Sequence, residues 1–343
     1  MIKLRTFDLQ LFGEWTPQVT PGSPTVNPVN VTTQDSLSPT MKTFYDTALL
    51  ENAREQMIFT QFGKKQPMRG NTIEWRKFNT FDKALTPLQE GVIPEGKTFG
   101  MTKIEAGITQ HGDYTAVSDR LELESFDDVI YGATEEMGAA EGETYDTLTR
   151  NILVGGNCVE YCPNGETEVK SRANITNACV LTPQIVHKVA TALKKMKAPK
   201  IDGWYVAIIH PSVAYDLTSS PEWLEYHKHT NPTPIFKGEI GEMYGVRFVE
   251  ANTAKIWKGT ADNAPADTAV YATLFLGKDA YGVLDPAGEG MEMIVKPKGQ
   301  IGGPLEQFST IGYKFCHGAK ILYQERMIRV ESGSSFGAVD EAN

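Results

Sequence analysis

Apolar positions recur along this chain at two different periods, and the changes of period mark its elements. Tyr45, Ala48, Leu49, Ala53 and Met57 recur every three or four residues behind Ser38-Pro39, an N-cap followed by proline at the first helical position. That spacing predicts a helix over about 40–61. From Gly63 the period shortens: Ile73 and Trp75 alternate with polar neighbours, and Ile104, Ala106 and Ile108 alternate again after residue 101, which predicts two strands. Pro87, Gly91, Pro94, Gly96 and Gly100 punctuate the connection between them. Hairpin loops usually run about two to five residues, so a connection of about 22 is expected to protrude and to act on something else.

Ser125 is placed to cap a long helix with the stripe Phe126, Val129, Ile130, Ala133, Met137, Ala140, Leu148 and Ile152. Its length would be about 40 Å. Gly132, Gly138 and Gly142 inside it each weaken a helix by about 1 kcal/mol, so packing must hold it and there is room for a kink or a break. The stretch from 154 to about 300 reads as a separate α/β unit opening at Gly155-Gly156-Asn157. It has a helix from Thr182-Pro183 to Lys197, with Ile185, Val186, Val189, Leu193 and Met196 inward and Pro199 as its stop. A buried strand at Trp204–Ile209, a short helix after Pro211, the segment Asn231-Pro232-Thr233-Pro234, and strands near Val246–Glu250 and Ala269–Leu276 follow, so strands and helices alternate. Tyr313 to Val330 returns to alternation with Phe315, Ala319, Ile321 and Tyr323, and 331–343 reads as a polar tail. There is no internal repeat. Residues 13–40, with Pro17, Pro21, Pro24, Pro28 and Pro39 and neither period, have the composition of an extended arm.

Composition narrows the function classes. The chain has 343 residues, 33 Lys+Arg against 43 Asp+Glu, and a formal charge of −10. That length predicts about two domains. A membrane-spanning helix needs about 20 apolar residues, far more than the run Trp204–Ile209, and charges at Lys3, Arg5 and Asp8 interrupt any signal-peptide core, so a cytoplasmic protein is expected. Cys158, Cys162, Cys179 and Cys316 are too few for a disulfide scaffold. An acidic chain is also poorly suited to gripping phosphate backbones, so contact with nucleic acid is expected to be weak or local.

No motif of phosphate-binding, dinucleotide-binding, zinc-protease or nucleophile-elbow type is present. His210 with His227 and His229 has the makings of an open metal site, but His227-Lys228-His229 lies in a polar segment and reads better as solvated surface. Cys158-x-x-x-Cys162 with Cys179 lacks a fourth ligand nearby and reads as small hydrophobes. Lys194, Lys195 and Lys197 complement the dipole of a helix end. Asp127-Asp128, Glu135-Glu136 and Asp340-Glu341 read as solubilising charge. No catalytic, cofactor or metal residue is predicted.

The order of elements, together with particular stretches, resembles the major capsid proteins of tailed phages with the Hong Kong 97-type fold, specifically the N4-like major capsid family. The stretches are Asp8-Leu9-Gln10-Leu11-Phe12-Gly13-Glu14, Gly70-Asn71-Thr72-Ile73-Glu74-Trp75, Leu85-Thr86-Pro87-Leu88-Gln89-Glu90-Gly91 with Pro94-Glu95-Gly96, Tyr205-Val206-Ala207-Ile208-Ile209-His210-Pro211, and Gly312-Tyr313-Lys314-Phe315 with Gly318-Ala319 and Glu325-Arg326-Met327-Ile328-Arg329-Val330. The similarity runs from about 40 to 331. It implies an α+β fold with an N-terminal arm (1–40), a peripheral-domain helix (41–63), an extended β-loop (64–112), the peripheral domain with its spine helix (113–169, the helix near 126–152), an axial α/β domain (170–300), a return strand to the peripheral domain (within 301–331, near 312–330) and a flexible tail (332–343). It implies a non-enzymatic structural subunit that self-assembles into hexamers and pentamers of an icosahedral phage head around double-stranded DNA. Its expected partners are further copies of itself, a separate scaffolding protein, a portal and a decoration protein; the arm leaves no room for a fused scaffolding segment, and maturation proteolysis is not expected. The subunit would be assembled in the bacterial host cytoplasm and end in the virion capsid. The alternatives are a bacterial nanocompartment shell, which shares the fold, and a metal-dependent hydrolase using His210, His227 and His229.

Two sets of inter-subunit contacts are expected. The loop carries Phe81, Leu85, Leu88, Val92, Ile93 and Phe99, which a solitary loop cannot bury, and Lys83 and Lys97, expected to face acidic groups of a neighbour such as the Glu135-Glu136 helix. The arm carries Trp15, Val19, Val26, Val29 and Val31, too sparse for a core of their own but able to strap onto a neighbouring subunit.

Overall fold

A computed structural model describes residues 57–343 apart from 68–69, 79–80, 82, 84, 86, 88–89, 92, 94–95, 126–128, 229–238, 286–290, 298–304, 306 and 338–339. The arm and most of the helix expected over 40–61 therefore lie outside the described residues. In chain order the strands are β1 (Lys64–Gln66), β2 (Thr72–Phe78), β3 (Met101–Gly107), β4 (Thr109–Ser118), β5 (Val159–Tyr161), β6 (Tyr205–Ile209), β7 (Glu239–Met243), β8 (Val246–Glu250), β9 (Ile256–Trp257), β10 (Val270–Leu276), β11 (Tyr281–Leu284), β12 (Met291–Lys296), β13 (Phe308–His317), β14 (Ala319–Ile321) and β15 (Met327–Ser332). The helices are α1 (Asp119–Glu124), α2 (Val129–Val154), α3 (Pro183–Lys195), α4 (Pro211–Thr218) and α5 (Pro221–Lys228). The fold is mixed α+β.

The largest sheet runs β5-β15-β10-β6-β8-β7, with β9 beside β10. Its central strands β6 and β10 are buried along their whole length. Successive side chains point to opposite faces, so an unbroken apolar run means both faces are covered. Tyr205, Ala207 and Ile209 meet Ile185, Val186, Val189 and Leu193 of α3 and Val213 and Leu217 of α4. Val206 and Ile208 meet Phe59, Phe62, Leu153 and Tyr281 on the other face. A buried ion network fastens β15 into this sheet: Arg172 is 2.7 Å and Arg329 2.9 Å from Glu331, and the Arg172 guanidinium lies 3.6 Å from the Trp257 ring centroid.

The second body is α2 against the three-stranded sheet β12-β13-β4. Val129, Ile130, Ala133, Met137, Tyr145, Leu148 and Ile152 cover Val117, Met293, Ile311, Tyr313 and Phe315. The helix passes through Gly132, Gly138 and Gly142 without a break. A small sheet, β1-β11-β14, joins this body to the hairpin β2-β3. Gly282 in β11 makes the junction possible: a Cβ there would stand 2.4 Å from Trp75 Cε2, so only glycine lets the indole lie on that strand.

Several expectations are corrected. Residues 57–63, the end of the predicted helix, are turns, because the Asp146 carboxylate takes the Phe59 N–H at 2.7 Å and draws the chain out of helical pairing. Ser125 is the C-cap of the unanticipated α1, itself capped by Ser118, and the long helix is described from Val129, with residues 126–128 outside the described residues. Ala140 and Met196 are exposed, not inward. α3 stops before Pro199, with Lys197 at φ +57° and the Ala198 N–H on the Leu193 carbonyl. The single return strand expected over 312–330 is three strands: β13 pairs with β4, β14 with β11, and β15 leaves for the large sheet. Gly318 lies at the first break, where a Cβ would meet Ile73 Cδ1 at 3.0 Å.

The described residues of the tail expected to be flexible over 332–343 are docked on the body. Ser332 and Ser334 are fully buried, Ser334 Oγ donates to the Ser212 carbonyl at 2.9 Å, and the Tyr271 hydroxyl donates to Asp340 at 2.6 Å. Asp340, expected to be mere solubilising charge, also accepts from Ser212 Oγ at 3.1 Å. Asn343 pairs with the free edge at Ile256, its Oδ1 taking the Ile256 N–H at 2.9 Å.

Candidate assembly surface

The predicted loop residues sit on a hairpin whose root is fixed and whose described outer part is exposed. The register pairs Ile73 with Ala106 and Trp75 with Ile104. Ile73, Trp75 and Ala106 turn inward onto Leu284 and Leu322. The outward face carries charge: Glu74 is 2.9 Å from Arg76 and 3.1 Å from Lys103, and these hydrogen bonds hold its carboxyl below the usual carboxylate range. Beyond the last pair, Phe78 with Met101, the apolar side chains among the described residues are exposed. Ile93 is 93% and Leu85 83% exposed, and Phe81 and Phe99 are half exposed or more. Phe99 stacks on Phe78 at 5.0 Å and on Phe81 at 5.6 Å between ring centroids, a small aromatic ledge. Lys83 and Lys97 are exposed on the same excursion. Leu88 and Val92 lie outside the described residues, as do the arm residues Trp15, Val19, Val26, Val29 and Val31.

The sequence reading missed Phe78 and Met101, which complete that ledge. Parity could have found Phe78: if Ile73 and Trp75 face inward, an even-numbered neighbour on the same strand faces out. It also missed exposed apolar side chains at Tyr114 of β4, Leu121 and Leu123 of α1 and Phe308 of the paired strand β13, and a further pair in which Tyr215 of α4 meets Phe336 of the tail at 5.1 Å. Monomeric proteins rarely carry large exposed apolar patches, and interfaces between subunits do.

The chemistry beneath these surfaces is structural. Glu141 of α2 is fully buried with neither carboxyl oxygen hydrogen-bonded, and burial pushes its carboxyl up to about 8. Asp146, five residues on, is raised to about 7 by burial against the pull of the backbone N–H groups of residues 58–60. His317 bonds Thr149 Oγ1 at 3.1 Å and meets Tyr145 edge-on at 4.9 Å; burial, then nearby His111, lowers it to about 4. His210 is a buried N-cap, its Nδ1 accepting the Ser212 N–H at 3.2 Å. His227 belongs to α5, and His229 lies outside the described residues. Among the described residues no three His, Cys, Asp or Glu side chains gather as metal ligands, and no helix is long and apolar enough to cross a membrane. Cys162 and Cys179 are buried in the main core.

A rigid root bearing an exposed apolar excursion, further exposed apolar side chains and no gathered chemistry among the described residues describe a building block. The family model described as phage capsid protein matches residues 103–289, more than half of the chain. The chain belongs to the phage capsid protein family. It is a structural, non-enzymatic subunit of a self-assembling homo-oligomeric shell, and its place is the virion capsid. No curated protein matches it in sequence. Among solved structures, the capsid of the cyanophage P-SCSP1u superposes with a TM-score of 0.61 at 14% identity, covering 81% of this chain and 89% of that one. The capsid of Ralstonia phage GP4 gives 0.61 at 15% identity over 81% and 87%, and that of cyanophage Pam1 gives 0.62 at 12% identity over 84% and 93%. At such identities the likeness carries the fold, and the capsid subunit shares that fold with all three.

Proposed function

We propose that the subunit forms hexamers and pentamers of an icosahedral, tailed-phage head enclosing double-stranded DNA, as an N4-like major capsid protein of Hong Kong 97 type. The observation that carries this reading is the hairpin: its root is held by Ile73 and Trp75, while Phe78, Phe81, Leu85, Ile93 and Phe99 are exposed in the single chain. Burying such side chains contributes about 1.5 to 3 kcal/mol each, enough for a few of them to fasten one subunit on the next. In this reading 64–112 is the extended loop, 113–169 the peripheral domain with its spine helix, 170–300 the axial domain, and the arm 1–40 a strap carrying Trp15, Val19, Val26, Val29 and Val31. Lys83 and Lys97 meet acidic groups of the neighbour and set register more than strength, since exposed pairs are worth about 0 to 1 kcal/mol. Assembly in the host cytoplasm would use a separate scaffolding protein and a portal, with a decoration protein added outside, and a charge of −10 per subunit favours weak contact with DNA.

Deletion of residues 84–97 is the test. The shortened subunit should stay soluble and folded, because the deletion lies beyond the last hairpin pair, and should form no shells by sedimentation. Normal shells from the deleted chain would refute the role given to the loop.

A further inference from the structure

At the foot of the hairpin a concave pocket of about 150 Å³ collects positive charge in an otherwise acidic protein. Lys64 of β1, Arg76 and Lys77 of β2, and Arg326 after β14 line it, with Asp279 as the one acidic lining residue. Lys77 Nζ lies 4.3 Å and the Arg326 guanidinium 3.7 Å from the centroid of the Tyr323 ring, which holds both cations at the wall. Arg76 is engaged by Glu74 and Arg326 by the Lys278 carbonyl, whereas Lys64 and Lys77 have no ion pair among the described residues. Trp75 and Ile104 supply apolar wall beside these cations. Four cationic side chains lining one concavity, two of them without an ion pair among the described residues, call for an acceptor oxygen.

We propose that this pocket receives an Asp or Glu carboxylate from a second copy of the chain in the shell. The inference rests on the capsid reading. The volume suits one side-chain headgroup. A duplex presents its phosphates on a broad convex surface, which exposed ridges of Lys and Arg grip better than a concavity does. Subunits of charge −10 repel one another, so an acid-accepting pocket beside the protruding hairpin gives two copies a local charge match where the hairpin leaves the body.

The test is zero-length carbodiimide coupling on shells assembled from equal parts of unlabelled and isotopically heavy full-length chains, read by peptide mass spectrometry. The expected result is a mixed-label peptide joining Lys64 or Lys77 to an Asp or Glu, absent from free subunits. Alongside it, Lys77→Glu with Arg326→Glu should abolish assembly at low salt while the circular dichroism and melting of the free subunit stay unchanged. Shells in which these lysines couple only within their own chain, or in which they are protected only once DNA is packaged, would overturn the inference and leave the capsid reading standing. So would low-salt assembly of the doubly reversed chain at the normal yield. Chains that never assemble would overturn the capsid reading and the pocket's role with it.

Discussion

Glu141 and His317 press on the stability of the subunit from opposite ends of the pH scale. Glu141 holds its proton up to about 8 when folded, against an ordinary 4.5. Between those values the unfolded chain releases a proton that the folded chain keeps, so stability falls as pH rises from about 4.5 to about 8, by up to about 5 kcal/mol. His317 behaves in reverse: the unfolded chain takes up a proton below 6.5 and the folded chain resists until about 4, so stability falls as pH drops through that window. Denaturant unfolding of Glu141→Gln across pH 5 to 8 should lose the alkaline slope and gain stability at pH 7. His317→Gln should flatten the acid limb, at some cost to packing throughout. A Glu141→Gln curve parallel to that of the parent would contradict the buried, unpaired carboxyl. Neither residue was legible in the sequence: Glu141 because a charge at helical spacing reads as a solvated face until the sheet that covers it is known, and His317 because a strand end does not say which helix packs on it.

The elements were more legible, and their failures have local causes. β6, β8 and α3 followed from apolar runs and capping residues because short-range pattern decides them. The stretch 312–330 misled because one alternating pattern supplies three strands in three sheets, and only Gly318 and the turn at Gln324–Arg326 mark the breaks. The tail misled because polar residues were read as solvated, whereas Ser334, Asp340 and Asn343 spend their polarity on Ser212, Tyr271 and the open edge at Ile256. Removing 333–343 should therefore cost about 2 to 4 kcal/mol, the sum of several buried hydrogen bonds, seen as a lower melting midpoint of the free subunit. An unchanged midpoint would return the segment to the status of a loose tail. For the arm, limited proteolysis should cut before residue 40 quickly in free subunits and slowly in shells; equal rates would mean that it straps nothing.

For the whole molecule, two bodies and a rooted hairpin make a subunit whose folding is complete while its surface is not. The hairpin ledge, the exposed side chains on β4, α1 and β13 and the Tyr215–Phe336 contact leave apolar area that a monomer has no use for. The length of the hairpin loop announced this in the sequence, since about 22 residues between two strands exceed what a turn needs. The other exposed apolar side chains were not legible there, because their places are set only when β4 meets β13 and the tail meets α4. Electron microscopy of the purified full-length chain under assembly conditions tests the central claim most directly. Closed shells of uniform diameter, with the hairpin of each subunit lying on its neighbour, are the predicted result, and discrete monomers under every assembly condition would contradict it.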